Sequence, residues 1–89
     1  MSIQFLYFYI MDPSKADKIK EIAKSHSAYW HSINPDSYKG GPFSDRSGGL
    51  ITFKSNSFND AKKLIDNDPF NLSHLLDKKW LKEWEVIDL

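Results

Sequence analysis

The sequence predicts an α+β domain with element order βαββαβ. Three observations predict it. Short apolar runs rich in aromatic and β-branched residues stand at both ends and in the middle of the chain. Two lysine-bearing stretches between them carry apolar residues at helical spacing. Proline and glycine steps, with no linker or low-complexity tract, separate these runs. The 89 residues suit one domain spanning residues 1–89 and leave no room for two. A domain of this size buries only about 60–65% of the surface its unfolded chain exposes, so a partner subunit would cover useful apolar area.

The opening "SIQFLYFYI" is apolar on both alternating sets, with Ile3, Phe5, Tyr7 and Tyr9 on one face and Leu6, Phe8 and Ile10 on the other. A strand with one solvated face would alternate with polar residues, so this one is expected to be buried on both sides. Pro13 marks a helix start, with Asp12 or Ser14 as its cap. From Ser14 to about Ser32 the positions Ile19, Ile22, Ala23, His26, Tyr29, Trp30 and Ile33 form one stripe, and Lys15, Lys18, Lys20 and Lys24 lie largely outside it. Asn34–Pro35–Asp36 ends that helix, because proline disfavours helical geometry in the residue before it.

"SYKGGPF" reads as a short strand distorted by Gly40, Gly41 and Pro42, "SDRSGG" as a turn, and "LITFK" as the next strand. In that strand Leu50 and Thr52 share one face, with Ile51 and Phe53 on the other. Ser57 or Asn59 caps a second helix through Ala61, Leu64 and Ile65 that ends near Asn67. After the Asp68–Pro69–Phe70 turn, "NLSHLL" is expected to add one helical turn, and "KWLKEWEVID" to form the last strand. Connection rules give this order a four-stranded antiparallel sheet with both helices on one face, the ferredoxin-like arrangement. The second apolar face of the first strand then lacks a helix, and a second subunit's sheet is its simplest cover; a homodimer is expected.

Lys plus Arg and Asp plus Glu both number 12, so the formal charge is zero and the basic excess that drives binding to phosphate backbones is missing. The RNA-recognition motif shares the βαββαβ order, but "GGLITFK" lacks its Lys/Arg-Gly-Phe-Gly-Phe pattern. No nucleic-acid partner is expected. Without cysteine there is neither disulfide nor thiolate chemistry. The first ten residues carry no basic n-region or small-residue cleavage site, and no apolar run approaches the ~20 residues that span a bilayer. A cytoplasmic protein with no membrane partner is the expectation.

His26 is the odd member of the first helix's stripe. It reads either as a boundary histidine whose ring nitrogens are simply satisfied, or as a general acid or base, for which an unperturbed pKa of ~6.5 suits it. Asp68 reads either as the plain cap of whatever follows Pro69 or as the carboxylate that orients an imidazole and stabilises its charged form. His31 lies about 140° round the helix from His26, and His74 follows the turn, so no i, i+3 or i, i+4 ligand pair supports a metal. The glycines of "GGPFSDRSGG" precede no Lys-Ser or Lys-Thr helix, which excludes a phosphate loop; they would let backbone approach a small ligand.

A histidine in the first helix, then "GGPFSDRSGG", "DPFNL" and a tryptophan-bearing last strand resemble the YCII-related (YciI-like) domain family, from Phe5 to about Trp84. The resemblance implies a ferredoxin-like fold assembled as a dimeric α/β barrel, related to muconolactone isomerase. It also implies a histidine–aspartate active centre at His26 and Asp68, with Gly41, Pro42, Phe43 and Phe70 lining the pocket. Three positions depart from the family pattern. Ala23 stands where many relatives have arginine, which counts against an anionic substrate. Asn34–Pro35–Asp36 replaces a glycine, and Leu72–Ser73 an Ala-Gly step. The function so implied is a cofactor-independent isomerase or lyase acting on a small cyclic or aromatic molecule. The rival reading is a non-catalytic dimeric module that binds a small ligand or a partner.

Overall fold

A computed structural model describes residues 2–88. Four strands, β1 (Ile3–Met11), β2 (Lys39–Pro42), β3 (Gly48–Ser55) and β4 (Leu76–Glu83), form one sheet in the order β2-β3-β1-β4. Every adjacent pair is antiparallel. Helix α1 (Ala16–Ile33) joins β1 to β2; α2 (Phe58–Asp66) and a single helical turn, α3 (Pro69–Leu72), join β3 to β4. This is the ferredoxin-like α+β architecture.

The pleat sorts β1 cleanly. Phe5, Tyr7 and Tyr9 point under the helices and are buried, opposite Phe53, Ile51 and Gly49 of β3. Trp30 of α1, Ala61 and Ile65 of α2, Phe70 of α3 and Leu75 complete that core. The helices lie on this face because each carries one apolar stripe: Ile19, Ile22, Ala23, Tyr29 and Ile33 of α1 pack against the buried cluster while its lysines stay out. On the other face Phe8 meets Phe43 at 5.3 Å and Trp80 at 5.1 Å between ring centroids. No helix covers this side. Leu6, Phe8, Ile10 and Leu50 remain half-buried, and Trp80 and Trp84 are exposed.

Local chemistry sets the ends of the elements. Asp12 Oδ1 accepts from the Ser14 amide, starting a 3-10 turn (Pro13–Lys15) that leads into α1, so the α-helix proper begins three residues after its proline signal. Asn34 closes α1 in the left-handed region at φ 46°, and its N–H donates to the Trp30 carbonyl at 3.0 Å. Ser57 is the cap of α2, its Oγ accepting from the Asp60 amide at 3.1 Å.

The last strand departs from its expected bounds. It begins at Leu76, three residues earlier than the alternation in "KWLKEWEVID" indicates, and ends at Glu83 rather than continuing to residue 88. The short helical turn lies at Pro69–Leu72 rather than across "NLSHLL". The Asp68 cap and Pro69 set the turn, whereas the strand's bounds have another cause. β4 pairs with β1 from Met11–Leu76 to Phe5–Glu83, and beyond the amide of Trp84, which donates to Gln4 O at 2.8 Å, β1 offers little further backbone. Alternation marks strand propensity, but a ladder needs a partner.

Candidate functional site

Asp68 sits between α2 and α3 with none of its surface exposed. An enclosed carboxylate is costly unless its oxygens are hydrogen-bonded, and here they are. Oδ1 accepts from the Phe70 amide at 2.9 Å and from His26 Nδ1 at 2.8 Å; Oδ2 accepts from Trp30 Nε1 at 2.8 Å. The amide contact is an ordinary N-cap interaction, preset by Pro69 at the first helical position. The other two donors come from α1, one turn apart at positions 26 and 30, so they reach the same carboxylate from one helix face. The cap and the carboxylate–imidazole pair are thus a single arrangement.

His26 keeps 12% of its side-chain surface exposed. Its ring stacks on Phe70 at 4.2 Å and meets the ring of Tyr9 edge-on at 6.0 Å. With Nδ1–H committed to Asp68, the tautomer leaves Nε2 as the acceptor, and Nε2 has no protein hydrogen bond among the described residues. A ring fixed in this way can take a proton at Nε2 while the carboxylate stabilises the imidazolium formed.

Four tyrosines lie within range of the Asp68 charge. Burial pushes the ionisation of Tyr7 and Tyr9 well above the usual tyrosine range, and the charge of Asp68 adds to it. Tyr29 and Tyr38 shift the same way for the same two reasons. The Tyr7 hydroxyl accepts from Asn71 Nδ2 at 2.9 Å, and the Tyr29 hydroxyl donates to Leu64 O at 2.7 Å. Trp30, Tyr9 and Tyr38 were not singled out by the sequence. The available signal was weak: hydroxyl-bearing and indole side chains on stripes otherwise read as plain apolar.

The residues assigned to the pocket divide between the two sides of the sheet. Phe70 stacks directly on His26. Pro42 lies opposite Gly49, on the helix side. Gly41 lies opposite Leu50 and Phe43 packs on Phe8, both on the uncovered side. A side chain at Gly41 would meet open space. Gly40 and Gly49 make room for tyrosines instead: a Cβ would come within 2.5 Å of the Tyr38 hydroxyl at Gly40 and within 2.3 Å of the Tyr9 hydroxyl at Gly49. Two surface depressions, one between Asn71, His74 and Lys79 and one along residues 14–18, touch neither His26 nor Asp68. Among the described residues no set of three His, Asp or Glu side chains is placed to hold a metal, and no helix is long and apolar enough to cross a membrane.

No protein-family model matches the chain, and no curated protein does. Solved structures do. The 5-chloro-2-hydroxyhydroquinone dehydrochlorinase TftG of Burkholderia phenoliruptrix AC1100, solved with 2,5-dihydroxybenzoquinone, superposes with a TM-score of 0.84 at 20% identity, over 93% of this chain and 94% of that one. A candidate antibiotic biosynthesis monooxygenase from Bacteroides thetaiotaomicron gives 0.63 at 13% identity, over 98% and 90%. Rv0793 of Mycobacterium tuberculosis gives 0.59 at 9%, over 100% and 98%. Identities this low establish the fold alone. Fold and site together define a ferredoxin-like α+β protein with an enclosed carboxylate holding an imidazole at the helix–sheet boundary.

Proposed function

We propose that this chain is a YCII-related domain that works as a cofactor-independent acid–base enzyme on a small cyclic or aromatic molecule. The observation that carries this reading is the contact of 2.8 Å between His26 Nδ1 and a fully buried Asp68, whose other oxygen is held by Trp30. His26 takes a proton from a carbon beside a carbonyl, or from a hydroxyl, and returns it elsewhere; Asp68 orients the ring and stabilises its charged form. General acid–base work of this kind supplies about 10²–10⁴-fold. The likeness to a dehydrochlorinase solved with a cyclic dione supports a ring-shaped substrate and an isomerase- or lyase-type outcome. In this reading Phe70 and Pro42 contribute to substrate binding from the helix side, Gly41 and Phe43 belong to the opposite face, and the protein acts in the cytoplasm as a homodimer joined through that uncovered sheet face.

A second reading, a dimeric module that binds a small molecule without turnover, is favoured by one observation: two surface depressions of the single chain lie away from His26. An activity screen over small cyclic ketones, lactones and halogenated hydroquinones, run on wild type beside His26→Ala, separates the two. The enzyme reading expects turnover by wild type and a loss of about 10²-fold or more in a variant that stays folded. Equal turnover in both removes His26 from the chemistry.

A further inference from the structure

Tyr9 of β1 has only 3% of its surface exposed, yet its hydroxyl has no hydrogen-bond partner among the described residues. No fully enclosed side-chain oxygen or nitrogen among those residues is left unpaired, so the hydroxyl itself must hold part of that remaining exposure. Buried hydroxyls normally find protein partners. Tyr7, two residues earlier on the same face, does so with Asn71. The Tyr9 ring is fixed on several sides, by Tyr7 at 5.2 Å, Phe70 at 6.2 Å and His26 at 6.0 Å between centroids. Its hydroxyl lies over Gly49, where any side chain would collide with it. A phenol with an uncommitted O–H therefore stands beside an imidazole with an uncommitted Nε2.

We propose that the Tyr9 hydroxyl is a second working group of this site, donating a hydrogen bond to an oxygen of a ring compound whose neighbouring proton His26 removes. The proposal rests on the acid–base reading of His26 and Asp68 and narrows its substrate class to oxygenated rings, such as cyclic enols, hydroxyquinones and their keto forms. In the step, the substrate C–H bond breaks and the proton passes to His26 Nε2. The electron pair moves onto the adjacent carbonyl oxygen, and Tyr9 O–H donates to that developing oxyanion. The imidazolium then returns the proton to another carbon of the ring, so no co-reactant is needed. Burial and the nearby carboxylate both oppose ionisation of Tyr9, which keeps it a donor.

The test is an absorbance titration of 2,5-dihydroxybenzoquinone into wild type, Tyr9→Phe and His26→Ala, with thermal unfolding of each and of Tyr7→Phe. The expectation is binding by wild type and about 3–10-fold weaker binding by Tyr9→Phe, the size of one lost hydrogen bond. The Tyr9→Phe unfolding temperature should stay at the wild-type value, whereas Tyr7→Phe, which orphans an Asn71 donor, should unfold earlier. Weakened binding in His26→Ala with wild-type affinity in Tyr9→Phe overturns the Tyr9 assignment alone. Wild-type affinity in both variants overturns the acid–base reading with it. An absence of binding to wild type overturns the oxygenated-ring class. A Tyr9→Phe unfolding temperature lowered as far as that of Tyr7→Phe means that the hydroxyl serves the fold, which also overturns the proposal.

Discussion

Asp68 serves two ends, and a single substitution exposes both. Asp68→Asn keeps the shape but turns one of two acceptor oxygens into a donor, facing either the Trp30 N–H or the His26 and Phe70 N–H groups. Leaving such buried groups unpaired costs about 1–3 kcal/mol, and urea unfolding should show a loss of that order along with loss of any activity. Gly49→Ala should destabilise by about 1–3 kcal/mol through overpacking, because its Cβ would come within 2.3 Å of the Tyr9 hydroxyl. The tyrosines predict a pH dependence. Tyr7 and Tyr9 bind their protons more tightly when folded than the ordinary tyrosine value of 10.0. The stability they contribute is fully present below pH 10.0 and falls as pH rises above it, since the unfolded chain ionises first. Base-induced unfolding followed by circular dichroism should begin at higher pH in Tyr7→Phe than in wild type, relative to each protein's stability at neutral pH.

At the level of elements, α1 positions the site. It presents His26 and Trp30 one turn apart to the same carboxylate, and its end is fixed by Asn34 in the left-handed region. Asn34→Ala should cost about 1 kcal/mol, whereas Asn34→Gly should be tolerated, because only glycine and asparagine adopt that geometry cheaply. Paired chemical-denaturation curves check the difference. The α3 turn is too short to persist alone. Pro69, the Asp68 cap and the burial of Phe70 hold it in place, so loss of the carboxylate also loosens the ring against which His26 stacks.

For the whole molecule the decisive feature is the asymmetry of the sheet. One face is closed by helices; the other presents Leu6, Phe8, Ile10, Leu50, Phe43, Trp80 and Trp84 with nothing over them. Contiguous apolar faces of this kind mark association surfaces. With the proposed homodimer, light scattering should give twice the chain mass of 10.3 kDa. Phe8→Lys, at the centre of the face between Phe43 and Trp80, should give the monomer mass without unfolding the helix-covered side. A monomer mass for wild type would refute the dimer and leave the ferredoxin-like fold standing.

The chain's own pattern determined the order βαββαβ, the two alternating sets of side chains on β1 and β3, and the stripe of α1, while which set lies under the helices came from the tertiary structure. Each of those patterns follows from residues a few positions apart whose periodicity is set by backbone geometry. The caps at Asp12, Ser57 and Asp68 and the stop at Asn34 were legible for the same reason. The bounds of β4 were not, because where a strand ends depends on how much of β1 is there to pair with it. Nor could the sequence say that Asp68 and His26, 42 residues apart, touch, that Gly40 and Gly49 make room for tyrosines, or that Gly41 and Phe43 face away from the imidazole. Those relations arise only when two helices dock on one sheet. Periodicity assigns each residue to a face, and tertiary packing alone decides which residues on that face become neighbours.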